Sequence, residues 1–210
     1  MERRTFLKAA GLTVLPAIGH QSALGQSCQD AIAQQTSGPF YPNQIPLDSD
    51  ADLVWVKGQD RIASGMVTNL MGKVVDLSGN PILGAEVEIW QTDAFGYYHH
   101  PRDRGGQAEA QFQGFGKAIV DGTGQYRFRT IRPAKYPGRT PHIHARVIMP
   151  GKRPITTQIY VQGERGNSED YLYNSIPPEK RDAHTVKFPN SEDEIVVAKF
   201  NFVLGYSIEC

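Results

Sequence analysis

The chain is poor in cysteine, carries no surplus of either charge and has no long apolar run. Its 22 Lys and Arg are matched by 22 Asp and Glu, so no basic patch points to nucleic acid. The mildly apolar stretch from Ala9 to Ile18 is too short and too interrupted by Gly and Pro to span a bilayer. No segment keeps a helical apolar period, and at most residues 178–183 form a short helical turn. Only two cysteines occur, Cys28 and Cys210, one near each end.

What is present begins with Arg3-Arg4-Thr5-Phe6-Leu7-Lys8, then the mildly apolar stretch, then the small residues Ala23-Leu24-Gly25. That order predicts a twin-arginine signal peptide over residues 1–25 and a protein exported to the periplasm or beyond, with no membrane contact after processing. This route carries proteins already folded, often with a cofactor in place. In an oxidising compartment Cys28 and Cys210 are expected to form a disulfide joining the two ends. About 185 residues remain, within the range of one domain with a full core. They divide into an N-terminal arm over 26–64 and a β-sandwich over 65–210.

The arm contains Thr36-Ser37-Gly38-Pro39-Phe40-Tyr41-Pro42, irregular by composition, with an aromatic pair that wants burial. It is expected to pack across the domain. Beyond it, short β-branched and aromatic segments alternate with turn signals. Residues 66–76, 85–90, 125–130, 142–148, 156–161 and 194–204 read as strands, with turns at Ser78-Gly79-Asn80-Pro81 and Asp121-Gly122-Thr123-Gly124. The fold class is all-β, a sandwich. Two connections, 97–117 and 163–190, are too long to be mere links. They either wall a site or hold a second copy in a homo-oligomer.

The chemistry concentrates in YPGRTPHIH, from Tyr136 to His144. On a strand, His142, His144 and Arg146 share one face, with Ile143, Ala145 and Val147 on the other. Two neighbouring imidazoles can grip one metal ion. Tyr136 stands six positions earlier, in a Pro/Gly turn able to fold back over the same face. A second polar, aromatic cluster, Trp90 to His100, follows a strand-like run and contains Tyr97 and Tyr98. Two tyrosines and two histidines from separate strand ends suit a hard, oxidised metal better than zinc. His99, His100 and His184 read as solvated loop histidines, Trp90 and Trp55 as core, and Glu192-Asp193-Glu194 as a charged turn.

GKVVDLSGNPILGAEVEIWQTDAFGYYHH, DGTGQYRFRTIRPAKYPGRTPHIH and TTQIYVQG, in that order, resemble the intradiol ring-cleavage dioxygenases. These are non-haem iron(III) enzymes similar to catechol and protocatechuate 3,4-dioxygenases, and the Thr36-to-Pro42 segment resembles their amino-terminal TxGPFYP element. The likeness runs from Thr36 to about Val203. It implies that Tyr98, Tyr136, His142 and His144 bind Fe(III), with Tyr98 preferred to Tyr97 by its spacing from Trp90-Gln91. It further implies that Tyr136 leaves the metal when substrate arrives, that Arg139 steadies charge on the substrate ring, and that Gln158 lies beside the metal. Tyr97 becomes a pocket wall. The Tyr136–His142 loop is shorter than in the cytoplasmic members and resembles that of exported, single-domain ones, which implies a more open site.

The implied partners are a small aromatic diol and O2, with a muconate-type product and no organic cofactor. Two rivals stand beside this reading. A transthyretin-like sandwich would bind a ligand without chemistry and need no paired tyrosines. A cupin-like enzyme with a divalent metal would need a third His and a Glu downstream, where only His184 follows His144.

Overall fold

The computed structural model describes residues 31–189 and 196–205. The expected signal peptide, Cys28, Cys210 and the expected charged turn Glu192-Asp193-Glu194 lie outside the described residues. Within them, nine strands form two sheets. The first joins β1 (Val67–Asp76), β4 (Gln125–Ile131), β8 (Val196–Lys199) and β9 (Phe202–Leu204). Here β1 is antiparallel to β4 and parallel to β8 and β9. The second runs β3-β2-β5-β6-β7, made of β2 (Glu86–Trp90), β3 (Phe115–Ile119), β5 (His142–Ile148), β6 (Ile155–Val161) and β7 (Thr185–Val186).

Period-two alternation explains the core. Leu70, Val74, Phe128, Ala198 and Phe202 of the first sheet cluster with Val87, Ile89, Ile143, Ala145, Val147 and Ile159 of the second, all fully buried. Each large apolar side chain so buried contributes roughly 1.5–3 kcal/mol. The alternate residues of β2, β5 and β6 are also buried, yet they are polar or aromatic: Glu88, Trp90, His142, His144, Gln158 and Tyr160. Pairing sets Trp90 opposite His144, His144 opposite Gln158, and His142 opposite Tyr160. One face of this sheet therefore builds the core and the other builds a site.

Several expectations need correction. Residues 97–117 are not one loop, because β3 starts at Phe115 and buries Phe115 against Trp90. Residues 163–190 hold 3₁₀ turns at 165–169, 178–180 and 182–184, the helix α1 (Tyr171–Asn174), and β7. The last strand breaks at Phe200–Asn201, where Asn201 Oδ1 accepts the Lys73 N–H at 2.9 Å. Trp55 is 47% exposed, since its neighbours Leu53 and Val54 take the core positions.

His100 and His184 are buried rather than solvated. His184 is buried because both ring nitrogens are bonded: Nδ1 to the Lys180 carbonyl at 2.9 Å, and Nε2 accepting the Ala33 N–H at 2.8 Å. That bond docks the arm. Further along, the Leu53 N–H donates to Arg129 O of β4 and the Lys117 N–H of β3 to Ser49 O, so the arm bridges both sheets.

Candidate metal centre

β5 supplies the first two groups. The His142 and His144 Nε2 atoms lie 3.3 Å apart, and both rings are buried. The Thr140 carbonyl accepts His142 Nδ1–H at 2.6 Å, which leaves the Nε2 lone pair toward His144. Burial, reinforced by the Arg139 charge, pulls the His142 pKa down to about 3. Burial, with His142 and Arg139 adding, holds His144 well below its ordinary value. Both imidazoles are thus neutral. Trp90 stacks on His144 with ring centroids 4.8 Å apart and planes within 3°. Trp90 is buried, as expected, but it packs on the site rather than in the sandwich core.

The turn after β2 presents Tyr98. Asp93 Oδ1 accepts the N–H groups of Phe95 and Tyr97 at 2.9 Å each, and its Oδ2 accepts that of Glu109 at 2.8 Å. Asp103 Oδ2 accepts the Tyr98 N–H at 2.6 Å. Gly96 has φ +81°, and a Cβ there would stand 2.4 Å from the Lys135 carbonyl, so glycine lets this turn abut the segment carrying Tyr136. The Tyr98 ring lies 5.4 Å from that of Tyr136 and 6.3 Å from that of His144. Its hydroxyl is buried with no hydrogen-bond partner. Burial, with Tyr136 adding, raises its pKa well above the ordinary value.

Tyr136 sits in the turn Tyr136-Pro137-Gly138-Arg139, closed by the Arg139 N–H on the Tyr136 carbonyl at 3.0 Å. Proline at the second position and Gly138 with φ +80° at the third are the type II pattern. The turn sets Arg139 Nη1 3.4 Å from the Tyr136 hydroxyl and the Tyr136 ring 5.6 Å from that of His142. Burial raises the Tyr136 pKa, against the pull of Arg139. Tyr136 is half-buried, unlike the other three.

Arg139 and Gln158 meet as well: Arg139 Nη2 donates to Gln158 Oε1 at 2.5 Å. Asp170, which nothing in the sequence singles out, accepts from Arg139 Nε at 2.8 Å in a buried ion pair. Burial alone would raise the Asp170 pKa. The bonds from Arg139 and from the Tyr173 and Thr140 N–H groups outweigh it and hold the group low.

The arm closes the site from above. Phe40 stacks on Tyr98 at 4.6 Å and meets Tyr136 edge-on at 5.9 Å. Tyr41 meets Trp90 edge-on at 4.9 Å and donates to Glu88 at 2.9 Å. Beside Tyr136 and Arg139 a cavity of about 740 Å³ opens, lined also by Glu164, Arg165 and Asp170. Tyr97 does not line it; its ring lies 4.1 Å under the Arg104 guanidinium.

Among the described residues no group of three or more His, Cys, Asp or Glu side chains is placed to hold a metal. The imidazole pair gains its further donors from tyrosines. A metal-free site leaves the Tyr98 hydroxyl buried without a partner and holds two neutral Nε2 atoms 3.3 Å apart. A trivalent cation satisfies these atoms together, because it strips the proton from a coordinated hydroxyl and takes neutral imidazole lone pairs. The residues fit such an ion.

Residues 36–205 match the sequence model of a family described as Dioxygenase. The chain is 28% identical over 214 residues to the catechol 1,2-dioxygenase of Candida albicans, covering 93% of this chain and 66% of that one. It is 33% identical over 153 residues to the protocatechuate 3,4-dioxygenase beta chain of Burkholderia cepacia, covering 68% and 64%. The chain thus spans less than two thirds of the length of these relatives. Among solved structures, it resembles the dioxygenase domain of a dioxygenase and carbohydrate-binding fusion from Streptomyces sp. SirexAA-E. That match has 27% identity and a TM-score of 0.64, and covers 84% of this chain and 99% of that one.

Proposed function

Since the chain belongs to the intradiol ring-cleavage dioxygenase family, we propose that it opens a catechol-type ring between its two hydroxylated carbons, with O2, at a non-haem Fe(III) centre. The observation that carries this reading is the meeting of Tyr98, Tyr136, His142 and His144, drawn from two strand ends and a type II turn. These four would hold the metal. Bound there, Fe(III) supplies a charge that keeps phenolates and a diol dianion ionised and draws electron density from the ring.

The chain's own groups account for the rest. Tyr136 is the half-exposed member of the four, beside the open cavity, so it can move aside for substrate. Its Oη then takes a hydroxyl proton from the diol. Arg139, 3.4 Å away, steadies the negative charge of substrate oxygens in a site where water screens poorly. Gln158 Nε2 is a buried donor without a partner, available to a substrate oxygen. Trp90 and Phe40 fix the His144 and Tyr98 rings by stacking and exclude water. Both atoms of O2 enter the muconate-type diacid, so the reaction needs no external reductant.

Export by the twin-arginine route belongs to the same proposal and rests on residues 1–25. To test the site, the purified protein is analysed for metal and its visible spectrum recorded during anaerobic addition of a catechol. Iron at about one per chain, a phenolate-to-iron band and its shift to longer wavelength on addition are expected. A colourless, zinc-loaded protein would overturn the reading.

A further inference from the structure

We infer that Asp170 is the positioning residue that sets the Arg139 guanidinium, and through it Gln158, for the reaction; this rests on the ring-cleavage reading above. The Asp170 carboxylate receives four donors. Oδ1 accepts the Leu172 and Tyr173 N–H groups at 3.0 Å each and so caps α1. Oδ2 accepts Arg139 Nε at 2.8 Å and the Thr140 N–H at 2.9 Å. These fill the roughly four lone-pair sites of a carboxylate.

Arg139 fans out to three partners: Asp170 from Nε, Tyr136 from Nη1 and Gln158 from Nη2. In the metal-free protein only Asp170 among them carries a charge, and its side chain is wholly buried, so this bond sets the plane of the guanidinium. The cavity runs along Arg139 and Asp170 and offers room to swing once that bond is gone. Arg139 in turn decides which way the Gln158 amide faces. Gln158 Oε1 accepts from Arg139 and from the Tyr160 hydroxyl at 3.2 Å, which leaves Nε2 as the unpartnered donor, on the residue opposite His144. The same Oδ2 also holds Thr140, whose carbonyl orients His142. One carboxylate oxygen thus links residues 163–190 to both sides of the site.

The two oxygens allow the cap and the positioning role to be separated. Asn caps helices as well as Asp does, so Asp170→Asn keeps the Oδ1 bonds. It places an NH2 group against Arg139 Nε–H and the Thr140 N–H, where no acceptor remains. Three variants are compared with wild type: Asp170→Asn, Arg139→Ala and the pair together.

Asp170→Asn is expected to lower kcat roughly 10- to 100-fold, as loss of an outer-sphere partner does, with the iron band retained and KM moving far less. In the Arg139→Ala background the same change should cost clearly less than in wild type, because coupled residues are not additive and only the route through Thr140 to His142 remains. Melting of the metal-free protein gives a readout independent of turnover. Asp170→Asn should lower Tm in wild type and lower it clearly less beside Arg139→Ala, where the buried carboxylate has lost its cationic partner and only the Thr140 N–H still suffers from the change.

An unchanged kcat in Asp170→Asn, or an equal loss in both backgrounds, would overturn the inference. If Asp170→Asn does not fold, Asp170→Ser, also a capping residue, replaces it with the same expectations. A wild type that binds iron and cleaves the ring while Asp170→Asn matches it refutes only the positioning role. A wild type without iron or cleavage refutes the ring-cleavage reading, and the difference between the two Tm changes still decides whether Asp170 and Arg139 act as a pair.

Discussion

At the residue scale, Tyr98 illustrates what the site costs the fold. Its hydroxyl is buried with no partner, a condition worth about 1–3 kcal/mol of lost stability. Tyr98→Phe should therefore stabilise the metal-free protein while losing colour and iron affinity, checked by equilibrium unfolding beside iron titration. Destabilisation of the metal-free form would contradict this. Tyr136→Phe should keep some metal yet lose kcat by roughly 10²–10⁴-fold, the range for removing a positioned base, as read by steady-state oxygen uptake. The four metal-binding candidates were legible because each lies in a motif with its own spacing. Asp93, Asp103 and Asp170 were not, since in sequence they look like ordinary loop acids. Their meaning comes from which N–H groups they face, and for Asp170 and Arg139 that pairing crosses 31 positions.

At the scale of elements, the arm depends on a histidine. His184 Nε2 accepts the Ala33 N–H, and burial, opposed by its bonds to Lys180 and Ala33, lowers its pKa. Protonating Nε2 removes that acceptor. Below the unfolded value near 6.5, the unfolded chain binds a proton that the folded chain refuses. Stability from this group is therefore present above that pH and falls as pH drops toward the folded pKa. His142 and His144 act in the same direction, so the informative quantity is a difference. The decline in Tm between about pH 7.5 and 5.5 should be shallower in His184→Gln than in wild type; parallel curves would contradict the assignment.

The alternating strands β1, β2, β4, β5 and β6 were readable because one face of each meets the core. β3 was not: Phe115-Gly116-Lys117-Ala118-Ile119 has weak β composition, and its place is set by pairing with β2 and by the arm's Ser49 carbonyl. The two-residue β7 is held by its parallel pairing with β6, which leaves no local signal.

At the scale of the whole molecule, the ends carry proposals of their own. Cys28 and Cys210 are expected to be joined in exported protein, contributing roughly 4–5 kcal/mol by the chain-entropy estimate. Mass spectrometry of non-reduced material checks this, and two free, alkylatable thiols would refute it. Changing Arg3 and Arg4 to Lys should leave the precursor in the cytoplasm, and undiminished export would rule out the route.

The central claim is intradiol cleavage, and the direct measurement is mass spectrometry of the product formed from catechol and isotope-labelled dioxygen. Cleavage between the hydroxylated carbons predicts a muconate-type diacid in which both atoms of the labelled dioxygen are retained. A ring opened beside the hydroxyl pair, giving a semialdehyde, or a product carrying no label would contradict it.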